Sequence, residues 1–247
     1  MNLGELTYPE VRDLIARGAV ALWPIGSTEA HGPHLPLNTD VLIAEHTALA
    51  ALDAIRGPAV VAPALALTVT EFAKPFSGTL SLPRDTAFAV VRDGALALAA
   101  QGFSAVCLVN AHLEPAHRYM LRDAVKAANL TSPCPIGIAD PADARWAATL
   151  TPELASGSCH AGQYETSLVM AARPELVRPS SATLPRLDID LVARIKGGAH
   201  DFAEAGATDA YCGAPGDASV AEGESSYRRL AEITAQVVAE LLARTQA

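Results

Sequence analysis

The sequence predicts an α/β protein with three layers, a mostly parallel sheet covered by helices on both faces. Three observations lead there. Short apolar runs alternate with Ala- and Leu-rich stretches of helical pattern between residues 19 and 139, an order that generates parallel strands joined by crossover helices. The run Phe103-Ser104-Ala105-Val106-Cys107-Leu108-Val109 lacks polar alternation, as a strand buried on both faces does. Finally, loops rich in His, Glu and Asp follow two of these runs, the place where open α/β sheets gather their sites.

The elements follow in order. Ala19-Val20-Ala21-Leu22-Trp23-Pro24-Ile25 reads as a buried strand. Asp40 then opens a helix over 41–55, with Leu42, Ile43, Leu49, Leu52 and Ile55 on one side and Gly57-Pro58 as its stop. A strand over 59–62 runs into a Thr-rich loop near Thr68. A helix over 85–100 ends at Gly102, and the apolar strand over 103–109 comes next. A helix over 116–129 and a short strand over 136–139 complete the alternation. From Pro179 the pattern weakens into Gly/Pro-rich chain, and an amphipathic helix over 226–245 closes it. No repeat, low-complexity tract or linker interrupts the chain, so residues 1–247 are expected to form one domain.

Composition narrows the functional classes. A chain of 247 residues, half of them hydrophobic and 18% charged, can bury a substantial core. Its 18 basic against 27 acidic residues give a net charge of −9, which argues against nucleic-acid binding because that needs a basic face. The four cysteines form no C-x-x-C pair and do not resemble a disulfide framework. The N-terminus lacks the basic start and apolar stretch of a signal peptide. No apolar run reaches the roughly 18–20 residues that span a bilayer. A soluble cytoplasmic protein is expected.

Three clusters carry the chemistry. Glu29-x-His31 and Asp40 lie in the loop after the first strand, and Asn110-Ala111-His112-Leu113-Glu114 follows the apolar strand. His160-Ala161-Gly162-Gln163-Tyr164-Glu165 leads into an apolar helical run. Each member also has an ordinary role. Asp40 suits a helix N-cap, His31 and His112 suit loop hydrogen bonds, and Glu114 and Glu165 suit the first turn of a helix. Cys159 beside His160 invites a nucleophile–base pairing, although adjacent side chains diverge. Taken together, these donors suffice for two divalent ions sharing a bridging carboxylate. Ions about 3.5–4 Å apart activate water and clamp a developing oxyanion. Such an oxygen and nitrogen donor set accepts Zn, Mn and Fe.

The motif Glu-x-His-Gly-x-His-x-x-x-Asn-x-Asp at residues 29–40 resembles the signature loop of the creatininase (creatinine amidohydrolase) family. Asn110-x-His112-x-Glu114 and His160-x-Gly162-x-x-Glu165-Thr166-Ser167 match that family's second and third motifs in order. Phe76-Ser77-Gly78-Thr79-Leu80-Ser81-Leu82 resembles its substrate-side loop, residues 213–223 its late Gly-rich segment, and Leu3-Gly4-Glu5-Leu6-Thr7 its opening. The resemblance implies a three-layer α/β/α fold, a binuclear Zn/Mn centre and hydrolysis of a small amide C–N bond. It places Glu29, Asp40 and His112 on one metal and His31, Asp40 and Glu114 on the other, with Asp40 bridging. Glu165 matches a glutamate of the same centre, as a ligand or as its neighbour. His160 matches the residue that handles the proton of the leaving nitrogen, with Glu114 a second catalytic candidate. Ser77, Gly78, Leu113, Ser156 and Gly157 are the expected substrate-binding residues. A closed homo-oligomer, a hexamer, is also implied.

Departures bear on the substrate. Creatininases proper carry a Trp-Asp pair where this chain has Ser156-Gly157-Ser158-Cys159, and the loop over 70–77 is shorter here. Trp146 is either a pocket residue or a core residue. Retention of Glu114 keeps the creatininase-like donor set. The expected reaction is therefore metal-dependent hydrolysis of a small amide other than creatinine. Peptide trimming, deformylation of a ring-opened purine, an isomerase or lyase reaction and a non-catalytic metal-binding module are the alternatives. If His160 donates the proton from an ordinary imidazole pKa of about 6.5, activity falls off near neutrality.

Overall fold

A four-stranded parallel sheet forms the middle layer, its strands lying in the spatial order Ala59–Val61 (β2), Val20–Ile25 (β1), Val106–Asn110 (β3) and Ile136–Ala139 (β4). The computed structural model describes residues 1–157 and 159–244, so Ser158 and Thr245 of the sequence expectations lie outside the described residues. In chain order the elements begin with helix α1 (Tyr8–Ala16), which has no counterpart among the expected elements. Its start is fixed by Glu10, whose carboxylate accepts the Thr7 backbone N–H at 2.7 Å, a reciprocal cap. Strand β1 (Val20–Ile25), helix α2 (Thr39–Ala54), strand β2 (Ala59–Val61) and helix α3 (Arg84–Ala100) follow. Strand β3 (Val106–Asn110), helix α4 (Pro115–Ala128) and strand β4 (Ile136–Ala139) complete the alternating part.

The expected strand over 103–109 starts later, at Val106. Phe103, Ser104 and Ala105 lead into it, with the Ser104 N–H donating to the Ala19 carbonyl.

Beyond β4 the helices are short until the last one. Helices α5 (Pro152–Ser156), α6 (Gln163–Ala172) and α7 (Leu191–Lys196) are separated by 3₁₀ turns and bends. Helix α8 (Val220–Arg244) starts six positions ahead of the expected 226. Its first turns pack against α6, where a Cβ at Gly223 would overlap the Ser167 carbonyl.

Side-chain alternation along the strands builds two cores. Ala21, Trp23, Ile25, Val106 and Leu108 face α1, α3 and α4. Val20, Leu22, Cys107 and Val109 face α2 and α8. Both faces are covered, which is why the strands read as unbroken apolar runs. Trp146 is 6% exposed and belongs to the second core; it is a core residue.

Two features position the site. Ile25 pairs with Asn110 in register at the carboxyl ends of β1 and β3, so the loops after them emerge side by side. Gly26 permits the second. A Cβ there would come within 2.7 Å of the Asp40 carbonyl carbon, and its absence lets the start of α2 close onto the strand end.

Candidate metal centre

Asp40 lies in the first turn of α2, one residue inside it, with Asn38 at the N-cap position. It is buried at 1% exposure, and its carboxylate points across the ends of β1 and β3. Oδ1 faces His31 Nε2 at 3.1 Å and Oδ2 faces His112 Nδ1 at 2.9 Å. Ser27 donates its hydroxyl to Oδ2 at 2.7 Å. Glu29 stands beside it, with Oε1 3.3 Å from His112 Nδ1 and 3.9 Å from His31 Nε2. The Thr70 hydroxyl donates to its other oxygen. Glu165 enters from the first turn of α6, with Oε2 3.7 Å from His31 Nε2.

The donor atoms gather into two triads that share Asp40: Glu29, Asp40 and His112, and His31, Asp40 and Glu165. A third grouping joins Glu29, His31 and His160. Glu114 is not in any of these groupings. Its carboxylate leaves the cluster to accept the backbone N–H groups of Glu71 and Phe72, each at 3.2 Å.

The imidazoles are fixed from behind. His31 directs Nδ1 to the Glu29 carbonyl at 3.2 Å, and His112 directs Nε2 to the Val69 carbonyl at 3.0 Å. A carbonyl only accepts, so the proton sits on the nitrogen facing it and the other nitrogen turns its lone pair toward the carboxylates. Lone pairs facing carboxylates repel unless a proton or a cation lies between them. In the metal-free chain a proton fills that role. Burial draws the pKa of His31 down, but Asp40, Glu165 and Glu29 outweigh it and lift it to about 10. The same contest leaves His112 well above its ordinary value through Glu29 and Asp40. Burial raises Glu165 to about 7, with the charges of Asp40 and Glu29 adding to it. Buried carboxylates with imidazole lone pairs aimed among them fit divalent cations.

A further set of residues supports the donors, and of these His117 was not singled out in the sequence. His117 Nε2 donates to Asn110 Oδ1 at 3.0 Å, and the His117 Nδ1 accepts from the Thr68 hydroxyl at 2.8 Å. Asn110 in turn holds the His112 backbone, donating to its carbonyl at 2.9 Å. Outer hydrogen bonds of this kind orient metal ligands. The one available signal was the spacing of His117 after His112 within a single motif-bearing loop and helix start.

His160 and Glu165 sit on a separately braced segment. His160 and Cys212 exchange backbone hydrogen bonds. Ala161 adopts a left-handed φ of 49° and gives its N–H to Glu165 Oε2 at 2.6 Å. The Glu153 carboxylate accepts the backbone N–H groups of Gln163, Tyr164 and Ala214 at 3.0, 2.7 and 3.0 Å. Gly213, at φ 107°, passes so close to Glu153 that a Cβ would overlap its carboxylate.

The His160 ring stacks on Phe202 with centroids 4.1 Å apart, and Nε2 donates to the Ala30 carbonyl at 2.8 Å. Its Nδ1 faces Glu29 at 4.0 Å. Burial and the neighbouring His31 push its pKa down to about 4, away from the expected value near neutrality. Among the described residues, no hydrogen bond joins the Cys159 thiol to the His160 ring. Burial, with Glu165 and Glu153, pushes that thiol well above the ordinary range, so it is a poor nucleophile.

Above the cluster opens a cavity of about 460 Å³. Glu29, Asp40, His112 and Glu165 form its buried floor, and its walls are largely apolar, with Phe72, Leu113, Leu154 and Ile195 among them. Of the expected substrate-side residues, Leu113 and Gly157 line it, while Ser77, Gly78 and Ser156 are not among its lining residues. Phe72 and Phe202, in edge-to-face contact at 5.4 Å, give part of the wall an aromatic surface.

Fold and floor together define a class: an α/β protein with a preformed carboxylate–imidazole cluster suited to divalent metals at the carboxyl end of a parallel sheet. Residues 4–238 match the family profile for creatininase, described as creatinine amidohydrolase, and the chain belongs to the creatininase family. It is 31% identical over 188 residues to a mycofactocin precursor peptide peptidase of Mycobacterium ulcerans, covering 71% of this chain and 67% of that one. It is 36% identical over 118 residues to the creatinine amidohydrolase of Pseudomonas putida, covering 45% of each. A crystal structure of a creatinine amidohydrolase (creatininase) superposes with a TM-score of 0.75 at 25% identity, covering 96% of both chains. Family members are thus hydrolases, amidohydrolase and peptidase among them. No helix among the described residues is long and apolar enough to cross a membrane.

Proposed function

We propose that this chain is a metal-dependent hydrolase that cleaves an amide C–N bond in a small molecule or a peptide terminus. Two divalent ions, zinc or manganese, with iron a further fit to the same donors, would be held by Glu29, Asp40 and His112 and by His31, Asp40 and Glu165. The observation that carries this reading is the sharing of Asp40 by two buried triads at the floor of an open cavity. Glu165, rather than Glu114, completes the second set, because Glu114 spends its oxygens on the backbone of Glu71 and Phe72.

Ions so placed would polarise an amide carbonyl and make water nucleophilic near neutral pH. The chain's own residues supply the rest. Thr70 and Ser27 hold the carboxylates in place. His160, its Nε2–H held by the Ala30 carbonyl, presents Nδ1 to take the proton of the attacking water and return it to the departing nitrogen. Glu114 anchors the Phe72 wall of the cavity instead of entering the chemistry.

The cavity supports an amide with an apolar flank. At about 460 Å³ and largely apolar walls, it falls within the range of small-molecule pockets and differs from a narrow polar slot for a purine-derived formamide. That favours a peptide terminus or an acylated amine. The Trp-Asp pair of creatininases proper is missing, which weighs against creatinine. By family likeness, the working form is proposed to be a closed homo-oligomer, a hexamer.

The test is amine release from a panel of N-acyl amines, short peptides and creatinine by protein loaded with zinc or manganese. Release that chelation abolishes and metal restores is the expected outcome. Tight binding of two ions with no release from any amide would leave a metal-binding module without chemistry.

A further inference from the structure

The cavity is polarised. Its floor is acidic and buried, whereas Arg118, Tyr119 and Lys196 line it from more exposed positions, with Tyr119 64% exposed. Arg118 is oriented by a buried carboxylate. Its Nε and one terminal nitrogen lie 2.9 and 2.8 Å from a single oxygen of Asp140, which is 6% exposed. Asp140 is itself held by the Ala142 N–H at 3.2 Å. Arg122 reaches the same Asp140 oxygen at 3.3 Å. One carboxylate therefore serves two guanidinium groups, and positive charge is left over. The Arg118 Nη1 has no partner among the described residues, and Lys196 has no ion pair among them.

Glu114, the other acid on that wall, is turned to the backbone N–H groups of Glu71 and Phe72. With a chain net charge of −9, general electrostatics would not draw an anion here, so any attraction is local. A guanidinium held in one orientation with a free edge is a recurring device for recognising carboxylates and phosphates.

We propose that Arg118, assisted by Lys196, is the specificity-determining residue of the cavity and selects amides that carry an anionic group across an apolar body from the scissile bond. This deepens the hydrolase reading and rests on it for the orientation of the substrate. The binding itself can be measured without turnover.

The experiment uses 3-phenylpropionate, 2-phenylethyl phosphate and neutral 3-phenylpropanamide as probes. Their affinities are measured by calorimetry and ligand-observed NMR on chelator-treated and zinc-loaded protein. In the metal-free protein an anionic probe is expected to bind about tenfold or more tighter than the neutral amide, the ratio a charge-assisted hydrogen bond carries. Whichever anion is preferred identifies the group as carboxylate or phosphate. Arg118→Gln is expected to abolish the preference, and Lys196→Gln to reduce it. Equal affinities, a preference present only with zinc, or a preference that survives Arg118→Gln would overturn the assignment. An intact, Arg118-dependent preference together with no amide cleavage would instead count against the hydrolase reading alone.

Discussion

His112 Nδ1 lies 2.9 Å from Asp40 Oδ2, so the end of β3 and the first turn of α2 meet at one carboxylate. The other oxygen of Asp40 faces His31. A side chain shared in this way makes the two proposed ion sites interdependent. Asp40→Asn is expected to lower metal content below one ion per chain after dialysis, as read by elemental analysis. Amide hydrolysis should fall by more than the roughly 10–100-fold that losing an outer hydrogen bond costs. Retention of two ions would refute the bridging role.

Glu165 and Glu114 separate in the same assay. Glu165→Gln removes a donor from the His31 side and is expected to leave one ion per chain. Glu114→Gln is expected to leave both, because its carboxylate accepts backbone hydrogen bonds at the cavity wall. The reverse pattern of metal contents would restore Glu114 as the ligand.

Thr70→Val removes the hydroxyl that binds the Glu29 carboxylate without touching a donor atom. Competition with a chelator is expected to show affinity weakened about 10–100-fold, with circular dichroism unchanged. An unchanged affinity would mean that Glu29 is held by its other neighbours.

Glu153→Gln replaces an acceptor of three backbone N–H groups by an amide that presents a donor to some of them. A stability loss of roughly 1–3 kcal/mol follows from leaving such groups unmatched. It is measurable by denaturant titration and should be accompanied by reduced turnover, because His160 and Glu165 ride on this segment. Gly213→Ala is expected to act in the same direction by crowding that carboxylate. Wild-type stability and turnover in both variants would dismiss the brace.

Stability of the metal-free protein should depend on pH in a defined direction. His31, lifted to about 10, and His112, lifted well above its usual value, keep protons in the folded chain that they lose when unfolded above about 6.5. The folded state then binds more protons, so stability is fully present below about 6.5 and declines as pH rises toward 10. Melting temperature of the chelated protein is expected to drop between pH 7 and 9, and bound zinc or manganese should flatten that decline by taking the place of the protons. A chelated protein whose melting temperature holds steady or rises over this interval would contradict the protonation scheme.

Much of the scaffold was legible because its signals are local. β1 and β3 are buried on both faces, and their unbroken apolar runs say so directly. Asp40, His31, His112 and Glu165 could be picked out as one candidate group because the donors recur together in loops after successive strands and at a helix start, although each alone has an ordinary role. What sequence could not resolve depends on long-range packing. Glu114 follows a strand end just as His112 does, and only the fold of the loop around Glu71 and Phe72 draws it away. Glu153 looks like an ordinary acid in the first turn of a short helix; its partners at Gln163, Tyr164 and Ala214 come together only in the folded chain. The ordinary imidazole pKa expected for His160 failed for a similar reason, since burial beside His31 is a property of the packed site.

Most of the cavity floor rests on the sheet ends, with Glu165 entering from α6, whereas Leu191, Ile195, Lys196 and Phe202 belong to the irregular excursion between α6 and α8. Most of the donor set and this part of the discriminating surface are thus encoded in different stretches of the gene, while Arg118 on α4 stays beside the donors. Point changes or length variation in the excursion can redirect what is accepted while leaving the cation-holding framework undisturbed, which makes that stretch the natural target for recombining selectivities between relatives.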